Sequence, residues 1–92
     1  ALALEESKKG FRIDIAEVVD RAGGRCAVLG NLDAVNVLPG PDEDGLRREI
    51  ERQVSAGRAN GGRFVMSIGS PVTPGTPVER VRAYCEEVRR LS

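Results

Sequence analysis

The chain has 92 residues, of which 40% are hydrophobic and 30% charged, an ordinary balance for one globular domain. Fourteen basic and fourteen acidic residues cancel to a formal net charge of zero, so the sequence carries no electrostatic footprint for nucleic acid or an anionic membrane. Its apolar runs are far shorter than the roughly 20 residues needed to span a bilayer. We therefore expect neither nucleic acid nor a membrane as a partner.

The cysteines indicate the cellular compartment of the protein, and the first residue bears on where its gene begins. Cys26 and Cys85 fall in apolar segments and have no second cysteine at metal-ligand spacing, which favours buried structural thiols. Two thiols do not make a secreted disulfide framework, so the expected location is the cytoplasm. The chain opens with ALALEES, without methionine or a signal-peptide pattern, and we expect that its first residue is not the first residue of its gene.

The first third of the chain predicts a strand, a helix and a second strand. Residues 1–7 (ALALEES) are apolar up to Glu5 and short enough for a buried strand. Asp14 opens a pattern resembling a capping box, and Gly23 offers a left-handed stop to the helix between them. The apolar face of that helix is Ile15, Val18, Val19 and Ala22. Residues 25–33 (RCAVLGNLD) form an apolar run bounded by glycines, which is typical of a strand covered on both faces.

Two further helices and a third strand complete the pattern. Residues 42–58 (DEDGLRREIERQVSAGR) predict a helix with acids in its first turn and arginine near its end. Its apolar face carries Leu46, Ile50 and Val54. Residues 63–70 (RFVMSIGS) predict a short strand, and Thr76 as N-cap with Pro77 in the first helical position predicts the start of the last helix. The apolar stripe of that helix is Val78, Val81, Tyr84, Cys85, Val88 and Leu91.

The order strand then helix occurs three times, with connections long enough for right-handed crossovers between parallel strands. The predicted fold class is therefore α/β with a parallel sheet. A three-stranded parallel sheet with helices on one side has two unpaired edges and a bare apolar face. A complete (β/α)8 barrel needs about 250 residues, so we interpret residues 1–92 as a single fragment of a larger TIM-barrel domain, about three of its eight units.

Polar residues follow each predicted strand. In parallel α/β folds the chemistry gathers at the carboxyl ends of the strands, so we expect the side chains there to line one mouth. The candidates are Glu5, Asn31, Asp33 and Ser70, as contacts to a substrate. Glu6 alternates in direction with Glu5, so only one of the two faces the site. Each candidate also has a simpler interpretation: a solvated acid at the rim, an Asx turn at Asp33, or a loop hydroxyl bonded to nearby backbone at Ser70.

Several motifs in fixed order carry a resemblance to a known family. The run GNLD, an acidic amphipathic helix, the stretch GGRFVMSIG and TPVERV resemble the C-terminal portion of the uroporphyrinogen decarboxylase superfamily, from about Phe11 to Leu91. That superfamily also contains methyltransferases that move methyl groups among methylated substrates, corrinoid proteins and thiols. The resemblance implies the last three β/α units of a TIM barrel. Residues 30–33 match the run after the penultimate strand, although Ala34 stands where the family usually has proline, and Gly69 matches the glycine that ends the last strand.

The next position departs from the family pattern. Ser70 stands where the decarboxylases carry a substrate-contacting histidine and many of the methyltransferases a zinc-binding cysteine. A serine hydroxyl does not titrate near neutrality and is a poor zinc ligand, and the chain contains no histidine. The resemblance implies a decarboxylase that needs no cofactor and stabilises a carbanion-like intermediate as acetate side chains lose carbon dioxide. Because the family's N-terminal arginines and aspartate are not in this sequence, we expect the isolated chain to be inactive.

Two alternatives stay open. One is a methyltransferase of the same superfamily, which implies zinc and a corrinoid partner in the full-length protein and a methyl donor in place of a tetrapyrrole as the small-molecule substrate. The other is a non-catalytic α/β module that oligomerises by pairing residues 1–7 or 63–67 across subunits. Self-association through exposed sheet edges is expected even for a fragment, because the bare sheet must be covered.

Overall fold

The protein is described by a computed structural model that covers residues 1–5, 7 and 12–92. Its elements follow the predicted order, with three short strands alternating with three helices. They are β1 Leu2–Ala3, α1 Ile15–Ala22, β2 Val28–Leu29, α2 Glu43–Arg58, β3 Phe64–Val65 and α3 Val78–Leu91. The predicted α/β alternation is confirmed.

The three strands form one parallel sheet in the order β1-β2-β3, and the predicted parallel pairing is confirmed. Each regular strand has two residues, fewer than the sequence predicts, but the pairing of β2 with β3 continues along the chain. The Leu32 amide donates to the Ser67 carbonyl at 3.1 Å, and the Gly69 amide donates to the Leu32 carbonyl at 2.9 Å. Leu32 and Ile68 therefore form a further parallel bridge beyond the strand ends.

The helices cover only one face of this sheet. The described residues fill a flat volume of 37 × 33 × 19 Å, and the short dimension is about the depth of one sheet and one helix layer, since packed layers lie about 10 Å apart. Val28 on the helix side is fully buried, whereas Val65 on the opposite side is 53% exposed. Leu29, which pairs with Val65 in the sheet, is partly buried.

The core consists of two clusters between the sheet and the helices. One is built around α1 and the other around α2 and α3, and α2 lies between its two neighbours. The buried members of the first are Ile15, Val19, Ala22 and Val28, and those of the second are Leu32, Leu38, Leu46 and Ile50. The predicted apolar faces of α1 and α2 are thus confirmed. The first strand is less buried than predicted, since Leu2 on the sheet edge is 46% exposed.

The predicted helix caps are confirmed for α1 and wrong for the start of α3. Asp14 caps α1 by accepting from the Ala16 amide at 3.2 Å, and Gly23 ends that helix with a left-handed φ of 59°. Asp42 caps α2 in the same way. The predicted Thr76 cap of α3 is wrong: Pro77 is the N-cap residue, and the Thr76 hydroxyl instead pairs with that of Thr73 at 2.9 Å. Val78, assigned to the apolar stripe, is 68% exposed.

Candidate functional site

The four candidate residues all lie at the carboxyl edge of the sheet. Glu5 and Asn31 are joined directly, because the Asn31 side-chain amide donates to the Glu5 carbonyl at 3.1 Å. Asp33 and Ser70 each follow the bridge between the ends of β2 and β3, so their chain segments leave the sheet side by side. Glu6, the other acid considered at this edge, lies outside the described residues.

Asn31 is the most buried of the four, with 5% of its surface exposed. Its side-chain nitrogen donates to two main-chain carbonyls, those of Glu5 at 3.1 Å and Ile13 at 2.9 Å. Its own main-chain amide donates to the Gln53 side chain on α2 at 3.3 Å. Asn31 therefore ties the end of β1 and the start of α1 to the end of β2, and both of its side-chain N–H groups are engaged within the protein.

Asp33 forms an Asx turn, the simpler of its two interpretations from the sequence. Its Oδ1 accepts from the amides of Val35 and Asn36, both at 2.8 Å, and its Oδ2 accepts from the Asn36 side chain at 3.0 Å. Its main-chain carbonyl accepts from the amides of Val37 and Leu38. The carboxylate thus shapes its own loop. Among the residues that the structure describes, Oδ2 accepts from the Asn36 side chain alone, which leaves it capacity for a second donor.

Glu5 and Ser70 occupy different environments at this edge. Glu5 is exposed, whereas Ser70 is half-buried at the start of the proline-rich loop before α3. That loop closes in a turn in which the Thr76 amide donates to the Thr73 carbonyl at 3.2 Å, and Gly75 takes a φ of 84° that favours glycine. The hydroxyl of Ser70 therefore sits on a segment of restricted backbone freedom.

A cleft of about 240 Å³ lies beside two of the four candidates. It opens between the segment before α1, the loop after β2 and the exposed side of α2. Its lining includes Arg12, Asp14, Asn31, Asp33, Glu49 and Arg52. The cleft brings Asn31 and Asp33 together and includes neither Glu5 nor Ser70.

Arg52 organises the charges of this cleft. Its Nη1 donates to Asp14 Oδ1 at 2.7 Å, and its Nε and Nη2 donate to the two oxygens of Glu49 at 2.9 and 2.7 Å. Gln53, itself 1% exposed, continues the network by donating to Glu49 at 2.8 Å and accepting from the Asn31 amide. These residues did not stand out in the sequence, where Arg52 and Glu49 look like ordinary charges on a helix surface.

The network lowers the pKa of both carboxylates. The hydrogen bond from Arg52 is the main reason that the pKa of Asp14 lies below its usual value, with burial opposing it. Burial raises the pKa of Glu49, but the hydrogen bonds donated by Arg52 and Gln53 together outweigh it, so this pKa is also lowered. Both groups are ionised at neutral pH, so they serve as fixed negative partners of Arg52.

The described residues also bear on metal binding, free thiols and membrane spans. Within residues 1–5, 7 and 12–92, no group of three or more His, Cys, Asp or Glu side chains is close enough to hold a metal ion. Cys26 and Cys85 are half-buried free thiols. No helix in the described ranges is long and apolar enough to cross a membrane.

Comparison with known proteins gives a consistent result. Residues 8–91 match the family model described as Uroporphyrinogen decarboxylase (URO-D). The chain is 38% identical over 82 residues to a Uroporphyrinogen decarboxylase of Anaeromyxobacter sp. (strain Fw109-5), covering 89% of this chain and 22% of that protein. It is 34% identical over 86 residues to the Uroporphyrinogen decarboxylase of Xanthomonas oryzae pv. oryzae (strain PXO99A), covering 89% of this chain and 24% of that protein.

The chain thus spans about a quarter of the length of these curated relatives. The family match covers the three helices, β2 and β3, and the candidate residues Asn31, Asp33 and Ser70. The superfamily resemblance of the GNLD and GGRFVMSIG motifs is confirmed. The chain belongs to the uroporphyrinogen decarboxylase (URO-D) family.

Proposed function

We propose that this chain forms three β/α units of a (β/α)8 barrel in a cytoplasmic uroporphyrinogen decarboxylase-like lyase, as the C-terminal arc of its mouth. The observation that carries the proposal is the convergence of Glu5, Asn31, Asp33 and Ser70 on one edge of a parallel sheet, in a chain of this family. Ligands of parallel α/β folds bind at this edge. The proposed reaction is loss of carbon dioxide from a tetrapyrrole substrate, without a cofactor.

The one-sided sheet supports the barrel part of the proposal. In the wall of such a barrel, the helices lie on the outside and a face of small or apolar residues lies on the inside. Along the free side of β3 runs an apolar groove whose lining includes Leu38, Met66, Ile68, Val72 and Tyr84. The Tyr84 hydroxyl is buried and has no hydrogen-bond partner among the described residues. A neighbouring strand at this edge would cover the groove and supply that partner.

The four mouth residues have different proposed parts in binding. The capacity of Asp33 Oδ2 for a second donor suits an N–H group of the substrate, and the Ser70 hydroxyl suits a substrate oxygen. Glu5 presents a carboxylate at the exposed end of the first strand. Asn31 holds the segments of this edge together and borders the same cleft as Asp33.

A chimera tests the proposal. Residues 8–91 of this chain replace the aligned segment of the Anaeromyxobacter relative, and carbon dioxide release from uroporphyrinogen is measured against the unaltered relative. We expect measurable turnover, with higher turnover in the Ser70→His variant because histidine restores the family's substrate contact. Ser70→Ala is the matched control and is expected to be no better than the parent chimera. A folded chimera that releases no carbon dioxide, with or without Ser70→His, refutes the proposed reaction.

Metal analysis of the full-length protein separates the alternatives. Zinc retained at one ion per chain, together with methyl transfer and no decarboxylation, supports the methyltransferase hypothesis instead. For the isolated 92-residue chain we expect no turnover and self-association through the free edges at residues 1–7 or 63–67. Light scattering that finds a compact folded monomer contradicts the self-association.

Tyr84 gives a further test of the barrel arrangement. Burial raises the pKa of Tyr84 to about 12, so its hydroxyl stays a protonated donor. In the chimera Tyr84→Phe removes a satisfied hydrogen bond and is expected to cost about 1 kcal/mol of unfolding free energy. In the isolated chain the same substitution is expected to be neutral or stabilising, because the hydroxyl has no described partner there. Equal effects in both contexts contradict the proposed covering strand.

A further inference from the structure

Arg80 connects the two loops that carry Asp33 and Ser70. It lies in the first turn of α3 and is half-buried. Its guanidinium reaches back to the loop between β2 and α2, where Nε donates to the Leu38 carbonyl at 2.8 Å and Nη2 to the Val37 carbonyl at 3.0 Å. Nη2 also lies 3.4 Å from the Asp42 carbonyl, at the start of α2.

These bonds distinguish Arg80 from most of the arginines on the helices, although Arg58 on α2 also donates to a distant main-chain carbonyl, that of Leu91. Arg47, Arg52 and Arg90 form ion pairs with carboxylates on the helices or at their ends. Arg80 has no carboxylate within ion-pair distance in the part of the chain that the structure describes, and its donors go to main-chain carbonyls more than 35 residues away. A planar guanidinium can serve two adjacent carbonyls at once and stays charged at any relevant pH.

A continuous set of hydrogen bonds leads from Arg80 to Asp33. The amides of Val37 and Leu38, whose carbonyls Arg80 holds, both donate to the Asp33 carbonyl, at 3.2 and 2.9 Å. Leu38 is fixed further by its side chain, which is 1% exposed in the second core cluster. The turn that orients the Asp33 carboxylate therefore has its far end bonded to α3.

The other end of the connection is the loop that carries Ser70. Only residues 71–77 separate Ser70 from α3, and three of them are proline. The Arg80 amide donates to the Pro77 carbonyl at 3.0 Å, so the main chain of Arg80 is bonded to the last residue of this loop. A displacement of the Asp33 turn relative to Pro77 therefore strains or breaks the bonds of Arg80.

We propose that Arg80 is a positioning residue that fixes the Asp33 turn relative to the Ser70 loop, so that the two binding groups are held at one spacing. It does not touch the substrate and acts through Asp33. The inference rests on the proposed function for its effect on turnover, while its effect on loop order follows from the hydrogen bonds alone.

The first arm of the test measures loop order in the 92-residue chain by hydrogen exchange. In Arg80→Ala the amides of Val37 and Leu38 are expected to exchange about tenfold faster, the change produced by losing roughly one net hydrogen bond. Arg82→Ala is the matched control, since Arg82 is exposed on the same helix, and it is expected to leave both rates unchanged. Unchanged exchange in Arg80→Ala overturns the proposal.

The second arm uses the chimera and measures kcat and KM separately. Arg80→Ala is expected to lower kcat/KM by roughly 10- to 100-fold, the range that a misplaced group causes, with most of the effect in KM because Asp33 is a binding group. Arg80→Lys is expected to recover only part of the loss, since an ammonium cannot hold both carbonyls in one plane. Millimolar methylguanidinium is expected to restore turnover to Arg80→Ala and to have no effect on the Arg82→Ala control.

The two arms separate this inference from the proposed function. A parent chimera without turnover counts against the proposed function before any Arg80 substitution is made, and exchange alone then decides whether Arg80 orders the loop. Faster exchange in Arg80→Ala with unaltered kcat and KM overturns the positioning role. A loss of turnover that methylguanidinium does not restore, with unaltered KM, overturns it as well.

Discussion

Asn31 offers the sharpest test of whether the mouth is held together by side chains of this chain. Substitution by alanine removes the hydrogen bonds to the Glu5 and Ile13 carbonyls at 3.1 and 2.9 Å, from a residue that is 5% exposed. With a net value of about 1–1.5 kcal/mol for each buried hydrogen bond, Asn31→Ala is expected to lower the unfolding free energy by about 2–3 kcal/mol. That is a large part of the roughly 5–15 kcal/mol typical of a domain.

Urea unfolding at one fixed protein concentration measures this effect. Asn36→Ala is the matched control, because Asn36 is exposed and donates its side chain only within the adjacent turn, and we expect a change within about 0.5 kcal/mol. Asn31→Asp keeps the shape but places a carboxylate against two carbonyls, so it is expected to cost more than alanine at pH 7. If Asn31→Ala costs no more than Asn36→Ala, the bonding role assigned to Asn31 is refuted.

Two further predictions concern packing and pH. A Cβ at Gly57 would lie 2.2 Å from the Phe64 ring, so Gly57→Ala is expected to cost about 1–3 kcal/mol by overpacking despite better helix propensity. In a double-mutant cycle, Phe64→Ala removes the ring and is expected to reduce this loss without abolishing it, because the Cβ of residue 64 stays 2.7 Å away. Equal effects in both backgrounds contradict the clash with the ring. Arg52 lowers the pKa of Asp14 and Glu49 in the folded protein. The ion pairs of Arg52 therefore stabilise the fold fully above the unfolded pKa values of these groups, about 3.9 and 4.3. This stabilisation is lost as the pH falls through the lower pKa values of the folded state. Arg52→Met should therefore reduce stability clearly at pH 7 and little at pH 2, and a pH-independent loss in urea unfolding contradicts this.

The helices and the parallel pairing of the strands could be predicted because they depend on local pattern. Leu46 and Ile50 recur at helical spacing and are buried, and Gly23 has the left-handed conformation that a helix stop requires. Three β/α repeats were enough to predict parallel strands, since connections of this length suit right-handed crossovers. The start of α3 was missed because Thr76 and Pro77 both suit a helix start, and the Thr73 hydroxyl that bonds Thr76 is not visible as a pattern.

The candidate site could be located from the sequence, but the roles of its residues could not. Placement at strand ends gave the correct edge for all four candidates. The bonds that distinguish them join positions far apart in the chain, such as Asn31 to Ile13 at a separation of 18 residues and Arg80 to Leu38 at 42. An arginine on a helix surface has the same local sequence pattern whether it pairs with a neighbouring carboxylate or reaches a distant carbonyl, so only the fold reveals which.

Asn31 and Arg80 make the same kind of hydrogen bond at the carboxyl edge of the sheet. Asn31 fastens the end of β1 and the start of α1 to β2, and Arg80 fastens the loop after β2 to the helix after β3. In each case a side chain donates to main-chain carbonyls. Such bonds fix the backbone directly, so they do not depend on which side chains its residues carry. Both partners of each of these bonds lie in this chain. A preorganised arc of this kind lowers the entropy lost when a ligand is bound across it.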